Sequence, residues 1–163
     1  MPIRHLAKPH DLNAIVALIN EAYVVESHFI TGPRIAAEEV AASIAAEEVV
    51  ALRDREVVIA TAHMAVHQRT GHLGLISVHP KMQGQGLGRR IIEIAESLAI
   101  VRGATQMQLE VVNLREELPP FYRKLGYVET GTAPFDDPKP TLLPVHFVTM
   151  GKPLAKNHEQ KST

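Results

Sequence analysis

With 163 residues the chain is long enough for one domain with a substantial core and no cross-links. Its 17 basic and 18 acidic side chains nearly cancel, which gives no general attraction for nucleic acid or for an acidic membrane surface. The absence of cysteine removes disulfides, thiolate metal sites and any acyl-cysteine intermediate.

The N-terminus, Met1-Pro2-Ile3-Arg4-His5, lacks the apolar core of a secretory signal, and no run approaches the roughly 18 apolar residues that span a bilayer. The expected location is therefore the cytoplasm. Ile3 to Ala7 reads as a short first strand, and Asp11 as the cap of a helix running to about Val25 on Leu12, Ile15, Val16, Leu18 and Ile19. Ser27 to Arg34 reads as a loop, and the Ala- and Glu-rich stretch Ile35 to Glu48 as a second helix. Val49 to Leu52, Val57 to Val66 and His72 to Val78 follow as strands joined by the polar turns Arg53 to Glu56 and Gln68 to Gly71. A helix starting at Leu87 shows Ile91, Ile94, Ala95 and Leu98 on one face and ends at Arg102-Gly103. Thr105 to Val112 alternates as a strand, Leu118 to Leu125 is a short helix with prolines in its first turn, and Tyr127 to Thr130 and Val145 to Met150 close the series as strands. Thr132 to Pro144 reads as a Pro-rich loop, and residues 152–163 as a disordered polar tail after a single domain over 1–151.

The chemistry is concentrated in Val78-His79-Pro80-Lys81-Met82-Gln83-Gly84-Gln85-Gly86-Leu87-Gly88-Arg89-Arg90, between a strand and a helix. Its glycines let the main chain approach a ligand closely, and the free amides at the helix start favour an anion. The sequence lacks the Lys-Ser/Thr of a P-loop, and the glycine spacing is not that of a dinucleotide fold, so a triphosphatase and a dehydrogenase are both disfavoured. A glycine turn that binds nothing is the other reading of the loop alone.

Gln83-x-x-Gly86-x-Gly88 resembles the acyl-CoA signature of the GNAT family of N-acetyltransferases. The element order and Pro120-Phe121-Tyr122-Arg123-Lys124-Leu125-Gly126-Tyr127 resemble that family as well. The resemblance covers residues 1–151 and implies an α/β fold with a mixed, mostly antiparallel sheet of roughly six or seven strands flanked by about four helices. It implies acetyl-CoA as acyl donor and no metal, with Gln83, Gly84, Gln85, Gly86, Leu87, Gly88 and Arg89 around the pyrophosphate. The backbone at Ser77 and Val78 would lie along the pantetheine arm, beside a bulge near Gly74 or Ser77.

By the same resemblance Tyr122 is the general acid at the CoA sulfur; taken alone it reads as a core aromatic. His72 is the base by similarity to arylalkylamine N-acetyltransferases, whose second strand histidine is replaced here by Gly74; a solvated turn histidine is the competing reading. His63 and Glu110 are further base candidates, and His79 is expected to shape the loop. The family position gives Asn113 a CoA contact, although the segment Leu114 to Pro120 departs from the family pattern and a strand-ending role fits equally. Tyr23, Glu26 and Phe29, with Phe135, are placed at the acceptor, or else Glu26 is solvated and Phe29 a core plug. The nine histidines are scattered without the spacing of a metal helix.

The expected activity is direct acetyl transfer to a primary amine of a small molecule. A non-catalytic acyl-CoA sensor, a protein or peptide N-acetyltransferase and a non-enzymatic interaction domain are the alternatives. Neither a nucleic-acid nor a membrane partner is expected, and relatives often form homodimers.

Overall fold

The computed structural model describes residues 2–136 and 139–155. Four helices, α1 (Leu12–Ala22), α2 (Ala37–Ala45), α3 (Leu87–Val101) and α4 (Leu118–Lys124), flank a sheet. The six strands are β1 (Val49–Asp54), β2 (Val57–His67), β3 (Thr70–Val78), β4 (Gln106–Val112), β5 (Val128–Pro134) and β6 (His146–Pro153). They lie in the order β1-β2-β3-β4-β6-β5. β3 and β4 run parallel, and the other neighbouring pairs are antiparallel.

The sheet carries apolar side chains on both faces, so helices cover both. On one face Leu73, Met107, Leu109 and Val111 pack with Ile91, Ile92 and Leu98 of α3 and with Tyr122 and Tyr127. On the other, Val49, Ala51 and Val58 pack with Ile15, Leu18 and Ile19 of α1 and Val40 and Ile44 of α2. Each fully buried Leu, Ile or Val of this kind stabilises the fold by roughly 1.5–3 kcal/mol. No described helix is long and apolar enough to cross a membrane.

Several boundaries differ from the sequence reading. Residues 2–5 form a 3-10 turn instead of a strand, and only Leu6 pairs, as an isolated bridge to Val50. Pro2 and Pro9 bracket this segment, and neither can donate to a ladder. Asp11 does not cap α1 with its side chain; its carboxylate accepts from Lys8 N at 2.8 Å and pairs with Arg53 at the end of β1. Beyond Ala22 the helix tightens into the 3-10 turn Val24–Glu26. The β2–β3 hairpin needs only Gln68 and Arg69, both at positive φ, so β3 begins at Thr70. β5 and β6 extend each other through pairing as far as Pro134 and His146, into the segment expected to be loop. Pro153 pairs with Gln106, and Leu154 N donates to Thr105 O at 3.0 Å, so the expected disordered tail does not start at residue 152. Residues 156–163 of that tail lie outside the described residues.

One irregularity positions the site. Thr61 pairs with Ser77 but His63 with Gly74, so β3 carries one extra residue there, and Leu75 takes φ +51°. The β3–β4 ladder ends at Leu73 and Leu109. Beyond that pair the two strands separate and leave a slot through the sheet.

Candidate active site

The first wall of the site is the glycine loop. After the 3-10 turn Pro80–Met82 the chain passes Gly84 (φ +82°) and Gly86 (φ +77°) into α3. Arg90 N donates to Gly86 O at 3.1 Å, so the amides of Leu87, Gly88 and Arg89 precede the helical ladder and remain available to an anion. A Cβ on Gly86 would meet nothing within 4 Å, whereas one on Gly88 would lie 3.4 Å from Phe121 Cζ. The first glycine serves backbone geometry, and the second lets α4 close against the start of α3. His79 Nδ1 accepts from Lys81 N at 3.2 Å, the loop-shaping role expected for it.

Between these walls lies a cavity of about 460 Å³. Ile76, Val78, Gln83, Gly84, Gly86, Leu87, Gly88 and Arg89 line one side, with Arg115, Leu118, Phe121 and Tyr122 opposite. A second cavity, of about 200 Å³, is lined by Tyr23, Glu26, Arg34, His72, Gln108, Glu110 and Tyr122. Strand alternation places His72, Gln108 and Glu110 on the sheet face opposite Leu73, Leu109 and α3. The two cavities share Tyr23, Ile76, Leu118 and Tyr122, at the slot left by the β3 bulge.

A family model for the acetyltransferase (GNAT) domain matches residues 45–129, from the end of α2 through the glycine loop and Tyr122. The chain belongs to the GNAT acetyltransferase family. Solved structures of similar fold include the ribosomal-protein-S18-alanine N-acetyltransferase of Escherichia coli, 23% identical with 94% of each chain covered and a TM-score of 0.69. The yncA protein of Salmonella typhimurium, solved with its cofactor acetyl-CoA, is 19% identical, with 93% of each chain covered and a TM-score of 0.74. Ard1 of Thermoplasma volcanium is 17% identical over 92% of this chain and 95% of its own, with a TM-score of 0.74. No curated protein sequence matches the chain.

In this GNAT domain Tyr122 is buried, with its ring 5.2 Å from Phe121 and 6.0 Å from Tyr127. Burial, aided by nearby Tyr23, pushes its phenol above the ordinary value of 10.0, so the group is a neutral donor at physiological pH. Tyr127 is held in turn by a 2.7 Å bond to Glu96 Oε2, and Lys152 reaches both oxygens of that carboxylate at 3.1 Å. Glu110 is exposed at the cavity rim, yet partial desolvation, then Asp136, raises its carboxyl above the usual carboxylate value, and His72 acts in the opposite sense. His72 and Glu110 thus reach the same cavity as Tyr122. His63 does not line it; its Nε2 lies 3.4 Å from Glu48 Oε1.

The remaining expected residues divide. Gln85 and Ser77 do not line the larger cavity. Ser77 is buried and its Oγ donates to Leu75 O at 3.1 Å, because the bulge turns Ile76 and Val78 toward α3 instead. Asn113 takes the strand-ending role: its Oδ1 accepts from His146 N at 2.9 Å, and its N donates to His146 O at 2.9 Å. Phe29 is fully buried against Ile30 and Val112, a core plug that does not line the smaller cavity. Glu26 is not solvated; it is 5% exposed and its Oε2 accepts from Arg115 Nη1 at 2.7 Å. Arg115 Nε also donates to Glu117 Oε2 at 2.9 Å, and the Tyr23 ring lies 5.2 Å from the Arg34 guanidinium and 6.0 Å from that of Arg115.

Sequence reasoning missed Arg115, Ile76 and Phe121 as cavity residues. Arg115 falls in the segment that departs from the family pattern, and Phe121 was overshadowed by its neighbour Tyr122. Ile76 carried no signal, since only the bulge decides which face it takes. Among the described residues no group of three or more His, Asp or Glu is placed to hold a metal.

Proposed function

We propose that this domain transfers the acetyl group of acetyl-CoA directly to a primary amine of a small molecule. The observation that carries the reading is the meeting of two cavities at Tyr122, where they share Tyr23, Ile76 and Leu118. The larger one is walled by helix-start amides and Arg89, which suit the pyrophosphate of CoA. The smaller one, about 200 Å³, matches a short amine, since water itself occupies roughly 30 Å³ in the liquid.

Two needs of amide formation are then met by named side chains. The amine must lose its proton, and His72 or Glu110 is the acceptor; the raised Glu110 carboxyl is a stronger base than an ordinary carboxylate. The neutral nitrogen adds to the thioester carbonyl through the slot, forming the C–N bond. Collapse breaks the C–S bond, the departing thiolate takes a proton from the Tyr122 hydroxyl, and the second proton of the attacking nitrogen, acidic once the C–N bond has formed, returns to the Tyr122 oxygen to leave the neutral amide.

A peptide N-terminus is the second reading, favoured by the fold shared with the Escherichia coli ribosomal-protein-alanine enzyme. Thiol release from acetyl-CoA, measured against a panel of short amines and of peptides with free N-termini, separates the readings. Release with short amines, and acetylated product by mass, is the expected result. Release with peptides alone would move the substrate class, and CoA binding without release for any amine would favour a sensor.

A further inference from the structure

Glu26, which lines the acceptor cavity, carries a buried carboxylate oxygen that no described protein group satisfies. Glu26 Oε2 is taken by Arg115, whereas Glu26 Oε1 is buried and has no hydrogen-bond partner. A carboxylate oxygen shielded from water without a donor is costly, and a ligand N–H or O–H removes that cost. Glu26 lines both the acceptor cavity and an adjoining space of about 110 Å³ beside Asn20, Tyr23 and Ile30. His72, Glu110 and Tyr122 contribute to the same acceptor cavity from β3, β4 and α4.

The orientation of Glu26 is fixed from behind. The Arg115 guanidinium is only 14% exposed, pairs with Glu117 through Nε, and lies 6.0 Å from the Tyr23 ring centre. A two-pronged hold of this kind favours one oxygen for Arg115 and leaves the other for a ligand.

We propose that Glu26, oriented by Arg115, selects acceptor amines that carry a second hydrogen-bond donor besides the reacting nitrogen. This rests on the acetyltransferase reading and narrows its substrate to bifunctional amines such as amino alcohols and diamines. Glu26 is a substrate-binding residue in this account, and Arg115 a positioning residue.

The isosteric change Glu26→Gln gives the test. Arg115 can donate only to the remaining carbonyl oxygen, so the amide nitrogen takes the place of Oε1 and presents a donor where an acceptor stood. Dissociation constants of 3-amino-1-propanol and 3-methoxypropylamine are measured by NMR titration of the CoA-bound protein. The natural chain is expected to bind the amino alcohol at least about ten-fold more tightly than the ether. Glu26→Gln is expected to abolish that preference with CoA affinity retained, because a hydroxyl and an ether oxygen can both accept from the new amide N–H. The same ratio in both proteins, or no preference or no binding in the natural chain, overturns the proposal. If Glu26→Gln does not fold, Glu26→Asp serves, since its shorter carboxylate should remove the preference; a retained preference again overturns it. Acetyl transfer followed in parallel keeps the two readings apart. Transfer without donor preference defeats only the selectivity, and donor preference without transfer to any amine defeats only the transferase.

Discussion

Glu26 and Arg115, 89 positions apart in sequence, meet at 2.7 Å on the wall that separates the two cavities. The pair ties the 3-10 turn after α1 to the connection between β4 and α4, and both cavities therefore depend on it for shape.

Arg115→Met should lower stability by about 3 kcal/mol, because it leaves the Glu26 carboxylate buried and unpaired. Denaturant unfolding measures this, and adding Glu26→Gln to the same chain should recover part of the loss. A cost below about 1 kcal/mol would mean that the carboxylate is hydrated or protonated once Arg115 is gone.

Tyr122→Phe should reduce kcat by about 10²–10⁴-fold, the range for loss of a general acid, with acetyl-CoA affinity nearly unchanged. Because burial holds the phenol above 10.0, the natural enzyme should show no falling alkaline limb from this group below pH 10. Steady-state rates across pH, with parallel binding titrations, check both points. Unchanged turnover in the variant would assign proton donation to water.

Glu110 has a distinct pH signature. Partial desolvation and Asp136 raise its carboxyl above the ordinary value of 4.5, so the folded chain holds this proton more tightly than the unfolded chain does. The folded state is therefore favoured by this group below pH 4.5, and that support fades as pH rises through the raised value. Glu110→Gln should accordingly raise Tm at pH 8 relative to the natural chain, with the difference shrinking toward pH 4. If Glu110 is the base, the same variant loses the acidic limb of kcat/KM; if His72 is the base, that limb survives in Glu110→Gln and disappears in His72→Gln. A Tm difference independent of pH would show that ionisation of Glu110 is not the cause.

Much of this arrangement was legible in the chain, and for local reasons. The glycine loop advertises itself because Gly84 and Gly86 adopt positive φ and Gly88 lies against Phe121. The alternation of Met107, Leu109 and Val111 marks β4 directly. Leu75 gives no such sign: its positive φ is imposed by the bulge, a tertiary outcome that also decides which way Ser77, Ile76 and Val78 face. Glu26 and Arg115 were unreadable as a pair for the same reason, since nothing in either local sequence identifies a partner across the fold. Phe29 stayed open between acceptor wall and core plug, because an aromatic residue in a loop looks the same in either place.

The most direct test of the whole account is calorimetric titration with acetyl-CoA, with ATP as control, of the natural chain and of Gly86→Glu. The account predicts saturable binding of acetyl-CoA and not ATP by the natural chain. It predicts loss of that binding in the folded variant, whose added carboxylate would occupy the anion site at the start of α3. Absence of binding in the natural chain, or unchanged affinity in Gly86→Glu, would contradict it.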